Sequence, residues 1–155
     1  MFETDRGGVT LKADIKISDG ATTWNTRLSQ IGRNNNEIII VTYTLNDYEY
    51  INKILSKRYK GIGITILCNS KFLMNAYHIK NCFPEVKMYA NPNVHAKMVL
   101  IEPNTVWISS ENLGHVKNSY DATVGIHNAD AYKHFYSQVS DIINRRETVI
   151  IKGVN

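Results

Sequence analysis

A chain of 155 residues, 43% hydrophobic and 21% charged, is ordinary for one soluble domain and long enough to bury a core. Eighteen Lys and Arg against fourteen Asp and Glu give a net charge of +4 and a pI near 9.0, which leans toward an anionic partner. Only two cysteines occur, Cys68 and Cys82, so a disulfide framework and a thiolate zinc cluster are excluded; no apolar run is long enough to span a bilayer.

The start, "MFETDRGGVT", lacks the basic and apolar segments of a signal peptide, so a cytoplasmic protein is expected. Alternating Val9, Leu11, Ala13, Ile15 and Ile17 predict a strand with one buried face. Trp24, Leu28 and Ile31 recur at helical spacing before "RNNNE" ends the pattern. "EIIIVTYT", residues 37–44, is a continuous β-branched run, as in a central strand covered on both faces. The next segment is a helix capped by Asn46 or Asp47, with Ile51, Ile54 and Leu55 inward, cations in its last turn and Gly61 as its stop.

"GITILC" is a second buried strand, "SKFLMNAYHIKNC" a helix ending before Pro84, and "VKMYA" a third strand. "HAKMVLI", "TVWISS" and "DATVGI" follow as strands, then a helix from about Ala129 to Ile143 with Phe135, Val139 and Ile142 inward, and a final "TVIIK". The order predicts a single α/β domain over residues 1–155, with a mixed, largely parallel sheet and helices on both faces.

The stretch "NVHAKMVLIEPNTVWISSENLG", residues 93–114, reads as a hairpin with polar groups at both ends. Alternation in a strand puts His95 and Lys97 on one face, the turn falls near Pro103 and Asn104, and the return brings Ser110 and Asn112 back toward the level of His95. Imidazole is a nucleophile or an acid according to its protonation, Lys is a fixed cation, and Ser and Asn donate neutral hydrogen bonds. The set suits attack on a phosphate, and no carboxylate cluster of the kind that holds magnesium accompanies it, so no metal or cofactor is expected.

The spacing resembles the HKD motif of the phospholipase D superfamily: His, any, Lys, four residues, Asp, six residues, Gly, Ser, any, Asn. His95, Lys97, Glu102, Ser109, Ser110 and Asn112 keep every interval, with Glu102 where Asp is usual and Ser109 where Gly is usual. Chance would place such a set in on the order of one in ten thousand chains of this length. The likeness extends over most of residues 20–145, a phospholipase D-like half-domain, and implies an acid just after the motif that orients the histidine; "NSYDATVGI" offers Asp121.

In this family an active site resembles two such motifs face to face, one His attacking phosphorus and the other protonating the leaving oxygen. His78, His115, His127 and His134 are not followed two residues later by Lys, so the chain holds one motif. The resemblance thus implies a homodimer with the active site at its twofold interface. One His95, oriented by Asp121 or Glu102, would form a phosphohistidine and the other would act as acid and then base, while Lys97, Ser110 and Asn112 hold the phosphate oxygens.

Single-motif endonucleases of the family resemble a chain of this size best, and the basic pI, Arg27, Arg33 and the run Lys57, Arg58 and Lys60 suit a polyanion. Tyr43 and Tyr120 are candidate stacking platforms, and His115 is a candidate pocket residue. The expectation is a metal-independent nuclease acting on DNA or RNA, with no membrane partner. The alternatives are a catalytically weak nucleic-acid-binding dimer and a lipid phosphodiesterase.

Overall fold

The computed structural model describes residues 12–19, 37–58, 62–114 and 120–154, and of Lys16, Ser18, Asp19, Lys57 and Arg58 only the backbone. The expected helix around Trp24, Leu28 and Ile31, together with Val9, Leu11, Arg27, Arg33, Lys60, Gly61 and His115, lies outside the described residues.

Chain order runs β1 (Asp14–Asp19), β2 (Ile38–Thr42), α1 (Tyr48–Arg58), β3 (Ile64–Asn69), a 3-10 turn (Ser70–Phe72), α2 (Leu73–Cys82) and β4 (Lys87–Asn91). It continues with β5 (Met98–Ile101), β6 (Thr105–Ser109), β7 (Tyr120–His127), α3 (Ala129–Ile143) and β8 (Val149–Ile151). Among the described residues the strands form one eight-stranded sheet in the order β1-β7-β6-β5-β2-β3-β4-β8. The sheet is mixed, but its parallel part is confined to β2, β3 and β4, and the other five pairings are antiparallel. The expectation of a largely parallel sheet is corrected to that extent. The hairpin-linked strands β5 to β7 need no crossover helix and so pair antiparallel.

Two apolar layers sandwich the sheet. On one face Ile38, Ile40, Ile64, Ile66 and Val99 pack against Ile51, Ile54 and Leu55 of α1 and Ala76 and Ile79 of α2. On the other, Ile39, Val41, Leu67, Leu100 and Val106 pack against Ala131, Tyr132 and Val139 of α3. Both faces of β2 are therefore buried, as its unbroken apolar run predicts, and each buried Ile contributes about 1.5–3 kcal/mol. Helix α1 starts where Asp47 accepts a bond from the Tyr50 amide (3.0 Å), and α3 where Asn128 accepts one from Ala131 (2.9 Å).

Trp107, buried on β6, lies opposite Gly125 of β7. A Cβ on Gly125 would sit 2.6 Å from the indole, so only glycine lets the ring lie flat there. Strand β1 forms as expected, but its expected buried face does not: Ile15 is 76% and Ile17 75% exposed. They stand on a strand that, among the described residues, lies at the edge of the sheet and pairs with β7, and Tyr120 beside them is 84% exposed.

Candidate active site

The chemically capable residues gather at the carboxyl ends of the parallel strands β2 and β3, where open α/β sheets place their ligands. The strand β5 begins only at Met98, so His95 and Lys97 lie on the segment leading into it and not on the strand itself. That segment is clamped by a residue the sequence does not flag. Asn69, buried at the end of β3, donates from Nδ2 to the Val94 carbonyl (2.8 Å) and the Pro92 carbonyl (3.0 Å). Its Oδ1 accepts from the Lys71 amide (2.9 Å), so one amide fixes both the His95 loop and the turn that carries Lys71.

His95 is exposed, and its ring lies against Tyr43 at 4.9 Å between centroids, tilted by 45°. Tyr43 is half-buried, meets the Phe72 ring edge-on at 5.7 Å, and accepts a long hydrogen bond from Lys71 Nζ (3.4 Å). Lys97 Nζ donates to the His95 carbonyl (3.2 Å), which keeps the ammonium beside the imidazole-bearing backbone. The Lys71 ammonium and the His95 imidazole thus border one aromatic ring, and Lys97 is tied to the backbone of that histidine.

Asn112 joins the other strand of the hairpin to this rim. Its Oδ1 accepts from the amides of Tyr43 (3.1 Å) and Thr44 (3.2 Å), with Thr42 Oγ1 at 3.5 Å. The Leu113 amide in turn donates to Thr42 Oγ1 (2.9 Å), tying the end of the motif to the end of β2.

Pairing of Met98 with Ile108, extended by the Ser109 amide bond to the Lys97 carbonyl (3.0 Å), brings Ser109 level with Lys97 and Ser110 one step further toward His95. Ser110 Oγ donates to Asp121 Oδ1 (2.7 Å) and accepts from the Ala122 amide (3.2 Å). Asp121 therefore acts on Ser110 in this structure. Ser109, where the motif usually has glycine, is accommodated because its Oγ accepts the Glu111 amide (3.0 Å) and bonds with Thr123 Oγ1 (3.2 Å), closing the turn.

Glu102 does not belong to the rim. It occupies the β5–β6 turn, where its Oε2 accepts from the Glu37 amide (3.3 Å) at the start of β2. Seven residues separate it from His95 along an extended path, roughly 20 Å, so it cannot orient that imidazole. Lys57 and Arg58 end α1 with side chains outside the described residues, as are Lys60 and His115 entirely, and Tyr120 stands on β7 next to Asp121. Lys71 and Asn69 went unseen in the sequence; the only signal was a polar residue directly after the buried run "ITILC".

Among the described residues no cluster of three or more His, Cys, Asp or Glu has a geometry that could hold a metal ion, and no helix is long and apolar enough to cross a membrane. The family model described as "Cardiolipin synthase, PLD-like domain" matches residues 28–143. No curated protein matches the chain by sequence. The fold is similar to that of Nuc from Salmonella typhimurium, described as a phospholipase D family member, with a TM-score of 0.72 and 14% identity over 92% of this chain and 100% of that one. It is similar to NucT from Helicobacter pylori (TM-score 0.70, 14% identity, 90% of this chain and 99% of that one). A phosphatidylserine synthase from Haemophilus influenzae Rd KW20 gives 0.66 and 13% identity, over 91% of this chain but 40% of that one. At these identities the likeness to the solved structures is one of fold.

Proposed function

The chain belongs to the phospholipase D superfamily, and from that premise we propose that it is a metal-independent phosphodiesterase, an endonuclease cutting DNA or RNA through a phosphohistidine in a site shared by two copies. The observation that carries the reading is the rim itself: an exposed His95 on a clamped loop, with Lys97, Asn112 and Ser110 gathered beside it.

In the proposed reaction His95 attacks phosphorus, an N–P bond forms, and the P–O bond to the leaving group breaks. The partner's His95 gives its proton to the departing alkoxide. Water then attacks the phosphohistidine and yields its proton to that same second imidazole, which restores both rings. Lys97 and the Asn112 amide nitrogen neutralise and position the nonbridging oxygens, and Asp121 holds Ser110 in the donor set. Two roles for one residue type predict a bell-shaped pH profile.

Three observations support a shared site in a nucleic-acid enzyme. The chain holds one motif, it spans all of Nuc and nearly all of NucT, and it spans less than half of the phosphatidylserine synthase. Exposed Ile15, Ile17 and Tyr120 on β1 and β7, adjoining Ser110 and Asp121, are apolar surface that a second copy would cover. The net charge of +4 favours a polyanionic substrate.

Plasmid and single-stranded oligonucleotides incubated in excess EDTA test the proposal, with His95→Ala run beside the wild type. Cleavage should persist in chelator and vanish in the variant. Cleavage that needs a metal, or that survives His95→Ala, would overturn it. Hydrolysis of phospholipid vesicles without nicking of DNA or RNA would reassign the substrate to lipid, and a fully active monomer would remove the shared site.

A further inference from the structure

A second cationic feature lies at the opposite end of β4 from His95. The last turn of α2, the start of β4 and the end of β8 enclose a cleft of about 560 Å³. Three lysines line it, Lys80, Lys87 and Lys152, and among the described residues no carboxylate does; Glu85, two residues from Lys87 in the chain, is not part of the wall.

Backbone register places two of the lysines together, and Lys80 reaches the wall from the last turn of α2. Met88 of β4 pairs with Ile151 of β8, so Lys87 and Lys152 face each other one step beyond that pair. Like charges directly opposite on neighbouring strands destabilise a sheet. Lys80 is fixed in the wall by bonds from its Nζ to the Pro84 carbonyl (2.5 Å) and the Val86 carbonyl (2.8 Å). A lysine on an edge strand commonly guards it against pairing, which would account for Lys152. It accounts for neither Lys80, held on a helix, nor Lys87, on a strand paired on both sides. Tyr89, half-buried, and Val154 add an apolar wall beside the charges.

We infer that this cleft is a second phosphate site, taking the phosphate of a nucleotide or of a nucleic-acid backbone with its base or sugar against Tyr89. It is separate from the rim. Three residues of β4 lie between Lys87 and Asn91, whose carbonyl accepts the Val94 amide next to His95, a separation of four steps or roughly 13 Å. The inference stands whether or not His95 is a nucleophile, because it concerns binding alone.

The test uses the Lys87→Gln, Lys152→Gln double variant in a His95→Ala background, where nothing is hydrolysed, against His95→Ala alone. Inorganic phosphate and a mononucleotide should raise the melting midpoint of the parent more than that of the double variant. If the occupant is a polynucleotide backbone, a fluorescent 20-mer should also bind the double variant at least about tenfold more weakly, with its log–log salt slope reduced by about 2. Loss of mononucleotide binding with the 20-mer unaffected would identify a free nucleotide as the occupant. Equal response of the two proteins to all three probes would overturn the site. The double variant on the His95 background should cleave a small chromogenic phosphodiester at the wild-type rate, which keeps failure of the cleft distinguishable from failure of the catalytic reading; a matching loss there would assign the lysines to the rim and overturn a separate site.

Discussion

Asn112 is the residue whose replacement separates architecture from chemistry. Its Oδ1 holds the amides of Tyr43 and Thr44, and Tyr43 in turn carries the ring against His95. Asn112→Ala removes the acceptor from two half-buried backbone donors. A net hydrogen bond is worth about 1 kcal/mol, and a buried donor left without an acceptor costs about 1–3 kcal/mol, so a loss of about 2–3 kcal/mol is expected. For a domain of this size that lowers the melting midpoint by about 5–10 °C. Asn112→Asp keeps an oxygen in the accepting position and should melt close to the wild type. It also places a negative charge at a residue that the proposed reaction sets against the phosphate. At about 6 Å from a phosphoryl oxygen and an effective dielectric of about 20, the repulsion is about 3 kcal/mol, or about a hundredfold in rate. Calorimetry and diester hydrolysis on the two variants read the two effects separately. An Asn112→Ala protein that melts with the wild type would refute the structural role, and an Asn112→Asp protein of full activity would refute the proposed contact with phosphate.

Other expectations concern residues that the tertiary structure brings into view. Lys71→Met should raise KM for oligonucleotides and leave kcat nearly unchanged, since the Lys71 ammonium is held at the Tyr43 ring and hydroxyl; a fall in kcat at constant KM would contradict this. Gly125→Ala pushes a methyl to 2.6 Å from buried Trp107, which should cost about 1–3 kcal/mol by urea titration, and an unchanged midpoint would mean that the indole yields freely. Burial pushes the Cys68 thiol up to about 12, and burial, with Glu102 and Glu37 nearby, pushes the Tyr132 phenol up to about 12. Both folded values exceed the ordinary 9.0 and 10.0, so this stabilisation is complete below about pH 9 and is lost as pH rises toward 12. The melting midpoint should therefore drop across that window; a flat profile to pH 11 would count against it. In the native state at pH 8 a thiol reagent should label exposed Cys82 and spare Cys68.

The sequence by itself determined whatever depends on local periodicity and on spacing within one hairpin. The β-branched run of β2, the inward positions of α1 and α3, the Asp47 cap and the grouping of Ser110 with the His95 end of the hairpin are all legible, because side-chain direction follows from period and register. Only the tertiary structure decided which strands pair. It limited parallel pairing to three strands, left Ile15 and Ile17 exposed on an edge, and removed Glu102 from the rim. Alternation along a strand says that one face differs from the other, but not whether anything packs on it. It was also the parallel pairing of β3 with β4 that put Asn69 under the His95 loop, and of β3 with β2 that put Lys71 beside Tyr43, across separations of 25 and 28 residues. No local pattern reports such contacts, because the hydrogen bonds that make them belong to the fold and not to either segment alone. The residues of the motif were therefore readable in the sequence, while the clamp that holds its histidine in place was not.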